Sequence, residues 1–140
     1  MRTIKFRGKV KYNGQHFFSG EWVEGFYAYK ELTGTHLILV ERAETQRYAS
    51  YFVEVEVDSE TLVQFTGLLD KNGVEIFDGD ILEELKGYHF EVLWDEKNAG
   101  FKLNWITKAY QYPEWNRGVL MNVIRNIHEV PHGTMDFDRN

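Results

Sequence analysis

Residues 66–81 read Thr-Gly-Leu-Leu-Asp-Lys-Asn-Gly-Val-Glu-Ile-Phe-Asp-Gly-Asp-Ile, three glycines and five charged side chains in sixteen positions. A long helix is a poor use of such a run. Glycine reaches positive φ without a Cβ penalty, and Asp and Asn close tight turns with their own side chains. The run predicts a hairpin turn at Asp70-Lys71-Asn72-Gly73 and a second turn at Asp78-Gly79-Asp80. Its apolar members, Leu68, Ile76, Phe77 and Ile81, are expected to enter a core, with Leu68, Ile76 and Ile81 largely buried.

The flanking chain carries the same strand-and-turn signature. In residues 3–12, Ile4, Phe6, Gly8, Val10 and Tyr12 alternate with Thr3, Lys5, Arg7, Lys9 and Lys11. A period of two marks a strand with one apolar face and one basic face. Asn13-Gly14 follows, a hairpin signal. Gly25 interrupts the run from Glu21 to Tyr29, which predicts a bulge or a close backbone approach. Leu37, Ile38, Leu39 and Val40 form a continuous apolar run expected to be buried on both faces. Residues 41–50 lose the alternation and are expected to form an exposed loop. Val53, Val55 and Val57 restore it, and Asp58-Ser59-Glu60 reads as a turn or helix cap. Beyond Asp80, strands are expected at 81–85, 88–94, 101–105 and 119–127, with an aromatic-rich loop at 107–118 holding Tyr110, Tyr112 and Trp115. About ten short β segments, punctuated by turns every 8–12 residues, predict an all-β sandwich or barrel.

Composition agrees with this and excludes several functions. A 140-residue chain buries roughly 68–70% of its unfolded surface, so it folds without staples. Eight Tyr, ten Phe and four Trp favour sheet. The absence of Cys removes disulfides, zinc-thiolate sites and thiol catalysis. No apolar run approaches the roughly 18 residues of a membrane span. The N-terminus lacks the apolar core of a signal peptide, so a cytoplasmic location is expected. A net charge of −6 opposes bulk electrostatic coating of nucleic acid.

Four stretches together resemble the YopX-like family of phage and prophage proteins. They are Ile4-Lys5-Phe6-Arg7-Gly8, Gly20-Glu21-Trp22-Val23-Glu24-Gly25, the central block, and Val123 to Pro131. In the central block Thr66, Gly67, Leu68, Asp70, Asn72, Gly73, Ile76, Phe77, Gly79, Asp80 and Ile81 fall on the family's signature. The closing stretch departs at Arg125, where the family usually has Gly, and at Val130, where Asn is common. The resemblance implies a mainly β fold of antiparallel sheets, with a small SH3-like barrel in the C-terminal half. It implies one family domain over 1–140, with approximate lobes 1–65 (an N-terminal β sheet) and 66–131 (the barrel), then a frayed tail at 132–140. It supplies no biochemical activity and no catalytic residue.

Each constellation that suggests chemistry has a plainer reading. His128-Glu129-Val130-Pro131-His132 matches the zinc-protease spacing, but that chemistry needs both His on one helical face, and Pro131 sits inside it. Asp70, Asn72, Glu75, Asp78 and Asp80 are oxygen-rich. An EF-hand counted from Asp70 would need Gly and Glu where Glu75 and Ile81 stand. Turn caps account for these carboxylates better than a cation does. His16, His36 and His89 are scattered, and no G-x-S-x-G elbow, P-loop or dinucleotide fingerprint occurs. Residues 66–96 hold nine acids against two bases, a net of −7, whereas residues 1–12 hold five bases and no acid.

The expectation is therefore a non-catalytic protein without cofactor or metal. It is expected to work by binding a protein partner or itself through aromatic anchors. The alternative is a nucleic-acid-binding small barrel contacting phosphates through Lys5, Arg7, Lys9 and Lys11, helped by Tyr110, Tyr112 and Trp115.

Overall fold

The computed structural model describes residues 3–44, 46, 49–106 and 120–129. Among these the chain is all-β. Its strands are β1 (Phe6–Lys9), β2 (Trp22–Lys30), β3 (Thr35–Glu44), β4 (Ala49–Glu56), β5 (Val63–Leu69), β6 (Glu75–Phe77), β7 (Asp80–Glu83), β8 (His89–Asp95), β9 (Gly100–Trp105) and β10 (Asn122–Asn126). A 3-10 turn spans Ser59–Thr61. No helix among the described residues is long and apolar enough to cross a membrane. The chain divides into two compact units, Met1–Gln64 and Phe65–Asn140.

In the first unit, β1 lies antiparallel to β2 from Phe6↔Gly25 to Lys9↔Trp22. Its other edge meets the start of β5, at Phe6↔Gln64 and Arg7↔Val63. The second half of β2, from Phe26, pairs instead with β3. Gly25 stands where β2 changes partner, and a Cβ there would collide with the Leu39 carbonyl oxygen. The expected close backbone approach is thus the reason for this glycine. β3 pairs with β4 from Leu37↔Glu56 to Glu44↔Ala49, and a bridge joins Val10 to Val57. Val10, Val23, Ile38, Val55 and Val57 are the buried core, with Phe17 and Leu62 packed against it. Burial of each such side chain is worth about 1.5–3 kcal/mol.

Three expectations for this unit change. β1 ends at Lys9, and Ile4 and Tyr12, read as inward-facing, are 58% and 63% exposed. Asn13-Gly14 does not close a two-residue hairpin; residues 10–21 form a longer connection. Phe17 O accepts from Gly14 N–H at 2.9 Å, and the Asn13 side chain accepts from Ser19 N–H at 2.8 Å. Residues 41–50 are not simply a loop: 41–44 and 49–50 extend the β3–β4 hairpin. The Asp58 cap does form, its side chain accepting from Glu60 N–H at 3.1 Å.

In the second unit, the rest of β5 pairs with β6 at Phe65↔Phe77 and Leu69↔Glu75, with an irregularity between them. A four-stranded antiparallel sheet runs β10-β7-β8-β9. Its core is Ile76, Leu82, Phe90, Val92, Leu103 and Met121. Ile76 and Ile81 are buried as expected, while Leu68 is half-buried against the core. The SH3-like barrel expected here is not closed by the described strands, since β9 and β10 stand at opposite ends of the sheet. The aromatic loop with Tyr110, Tyr112 and Trp115, the Val130-Pro131-His132 end of the zinc-like motif, and the tail at 132–140 lie outside the described residues.

Candidate functional site

The signature stretch is a hairpin followed by a tight turn, and its polar atoms bond within the second unit. Thr66 Oγ1 donates to the Ile76 carbonyl at 2.8 Å and accepts from Leu68 N–H at 3.2 Å. Gly67 and Gly73 take positive φ, 91° and 82°, at exposed positions with open space around them, Gly67 inside β5 where its pairing with β6 is irregular and Gly73 in the hairpin turn. Asp70 closes the hairpin. Its Oδ1 accepts from Asn72 N–H at 2.8 Å and Val74 N–H at 2.9 Å, and its Oδ2 from Val123 N–H at 2.9 Å. The exposed Asn72 side chain donates to Asn122 Oδ1 at 2.6 Å. Strand β10 is thus tied to the hairpin at two points.

The second turn is held more tightly. Asp80, with no exposed surface, accepts from Phe77 N–H at 2.7 Å and from Asn126 Nδ2 at 3.0 Å. Asn126 Nδ2 also reaches the Asp78 carbonyl at 3.0 Å, and its Oδ1 accepts from His128 N–H at 3.0 Å. Gly79 has φ of 81°, and a Cβ there would press on Ile127 and Asn126 at 3.1 and 3.2 Å. Burial pushes the Asp70 carboxyl upward, but bonds from Val123, Val74 and Asn72 and the charge of Lys71 outweigh it and hold it below its ordinary range. Asp78 goes the other way: burial dominates and raises it, although the Gly79 N–H bond and the His128 charge oppose this.

Asp70 and Asp80 cap turns through these bonds, and among the described residues no three His, Asp or Glu gather. His128 lies in a turn rather than a helix, so the described end of the zinc-like motif lacks its helical context. His89 bonds Glu83 at 2.9 Å across β7 and β8. Asn126 is the residue that sequence reasoning passed over. A short amide inside an apolar terminal strand, Val123 to Ile127, is the signal that was available.

The basic side of β1 is engaged locally. Lys5 pairs with Glu24 at 3.4 Å and Lys11 with Glu56 at 3.5 Å. Arg7 and Lys9 lie over the Trp22 ring, 4.8 and 5.4 Å from its centroid. Of the four cations only Arg7 and Lys9 lie in β1, with Lys5 before it and Lys11 beyond it, and Lys5, Arg7 and Lys9 are half-buried rather than fully presented. The charge of Tyr12 first, and Glu56 next, raise the Lys11 ammonium above its ordinary range.

The same side of the first unit's sheet is apolar farther along. Phe26 on β2 and Phe52 on β4 meet edge to face, 6.0 Å between centroids, and are 57% and 52% exposed. Exposure of two adjacent Phe rings is the kind of feature that marks an interaction surface. Lys30 and Glu54, paired at 3.1 Å, rim it. A cavity of about 300 Å³ lies between the 12–17 connection and Val53–Glu56. Gln15, His16, Glu54 and Glu56 are polar residues of its lining, beside Tyr12, Phe17, Val53 and Val55. These residues form no nucleophile–base pair.

A family model described as YopX protein matches residues 5–132. No curated protein matches the chain.

Proposed function

The chain belongs to the YopX protein family, and from that premise we propose that it is a phage- or prophage-derived, non-catalytic protein-interaction module of the host cytoplasm. The exposed Phe26–Phe52 pair carries this reading. Aromatic side chains supply most of the energy of typical interfaces at low conformational cost. The internal bonding of Thr66, Asp70, Asp80 and Asn126 supports a structural role for the signature. We keep the SH3-like barrel of the C-terminal half within the proposal; the antiparallel order β10-β7-β8-β9 around one apolar core supports it. The first unit adds small-barrel features of its own, in the Gly25 corner and the Val10–Val57 bridge.

Affinity capture from host cells, comparing wild type with Phe26→Ser and Phe52→Ser, tests the module. A partner retained by wild type and lost from both variants is the expected result. Equal capture by all three moves the interface elsewhere. The alternating spacing of Lys5, Arg7, Lys9 and Lys11, with Arg7 and Lys9 on β1, supports a second reading, nucleic-acid binding. Salt-sensitive mobility shifts with DNA or RNA, lost with Lys5→Glu or Arg7→Glu, would establish it in place of the first.

A further inference from the structure

We propose that two copies of this chain pair edge to edge through β4, antiparallel about a two-fold axis at Phe52. The proposal deepens the interaction-module reading and rests on it, by naming the partner as a second copy.

Strand polarity carries the first step. In an antiparallel ladder, alternate residues direct both backbone groups to the same neighbour. Val57 N–H donates to His36 O on the β3 side, at 3.0 Å, whereas Glu56 O accepts from Lys11 N–H on the other side, also at 3.0 Å. The even residues of β4 therefore point away from β3: Ser50, Phe52 and Glu54. Among the described residues no backbone bond reaches this outer edge over Ala49–Val55. The segment is Ala-Ser-Tyr-Phe-Val-Glu-Val, without Lys or Pro. Strand edges are usually blunted by such residues, because a bare edge invites another strand.

Charge then selects the occupant and the register. Both acids of β4, Glu54 and Glu56, lie in its C-terminal half, and Ala49–Phe52 holds none. Antiparallel self-pairing sets the acidic half of each copy against the acid-free half of the other. Centred at Phe52, the outward residues match as Phe52 with Phe52 and Ser50 with Glu54, giving about six backbone hydrogen bonds. Centring two residues later would oppose Glu54 to Glu54, which is unfavourable. The two-fold axis keeps like faces together. Phe26 and Phe52 of each copy then form one continuous apolar strip. The contact is isologous and closes at two copies.

Light scattering on size-exclusion peaks of the purified full chain tests this. A concentration-dependent dimer is expected. Ser50→Glu, an exposed edge position set opposite Glu54, should weaken dimerisation about fivefold or more, and Ser50→Lys should strengthen it. Phe52→Lys should give a monomer. Circular dichroism checks the fold of each variant; should Phe52→Lys misfold, the Ser50 pair alone decides. Wild type that stays monomeric to millimolar concentration overturns the proposal, as does a dimer indifferent to both Ser50 changes. A monomer that still captures a host protein through Phe26 and Phe52 rejects self-pairing and leaves the module reading standing. A second copy that dimerises while no host protein is captured assigns the surface to self-association.

Discussion

Asp80 and Asn126, forty-six positions apart, share a 3.0 Å hydrogen bond with neither side chain exposed. The carboxylate also caps Phe77 N–H, and the amide also caps the Asp78 carbonyl. One contact therefore fixes the second signature turn and the last described strand together. Asp80→Ala should cost about 3 kcal/mol, because it leaves the Phe77 N–H and the Asn126 amide without their acceptor in a dry interior. Asn126→Ala should cost a similar amount, and the double variant less than the sum, since both remove the same bond. Urea unfolding of the four proteins measures the coupling. Additive losses would show that the two residues act separately.

Asp70 and Asp78 should pull stability in opposite directions with pH. The folded Asp70 carboxyl lies below its ordinary range, so the unfolded chain holds its proton more tightly. Its contribution is present above the unfolded value, about pH 4, and is lost as pH falls through the folded value. Asp78 is raised by burial, so the folded chain holds that proton more tightly. Its contribution is present below about pH 4 and is lost as pH rises through the folded value. Denaturation between pH 2 and 7 should show a shallower acid loss for Asp70→Asn than for wild type. Asp78→Asn should instead show a steeper one. The same slope in both variants would refute the assignment.

Local patterns were legible where one face of a strand is buried. Val53, Val55 and Val57 alternate because Ile38 and Val10 wait on one side only. The Asp70–Gly73 hairpin turn was legible for a related reason: Asp70 accepts from the nearby Asn72 and Val74 N–H groups and Gly73 supplies the positive φ, all within the turn itself. The pairing of 41–44 with 49–52 was not legible. Glu41↔Phe52 and Ala43↔Ser50 pair where neither strand has a buried face to impose a period. The partners of the basic strand were equally hidden, because Glu24, Glu56 and Trp22 reach Lys5, Lys11 and Arg7 only through strand register. Asn126 was hidden for the same reason, its meaning depending on Asp80 across a fold not written in its own neighbourhood.

Gly25 offers the sharpest test of the first unit. A Cβ at this corner meets the Leu39 carbonyl oxygen and lies 3.2 Å from Ile38 Cγ2. Backbone cannot yield as a flexible side-chain tip can, so Gly25→Ala must push β2 away from β3 at the point where β2 changes partner. The expected cost is about 1–3 kcal/mol. Gly14→Ala is the control. Its nearest neighbour, Phe17 O, is 3.9 Å from the added methyl, and the change should stay within about 0.5 kcal/mol of wild type. Thermal unfolding of both variants gives the comparison. The Gly25 variant should also expose Phe26 and Ile38 amides to faster hydrogen exchange, because their ladder to Leu39 and Tyr27 flanks the corner. Equal stability of the two variants would mean that β2 bends elsewhere, and that the close approach to Leu39 is not what selects glycine.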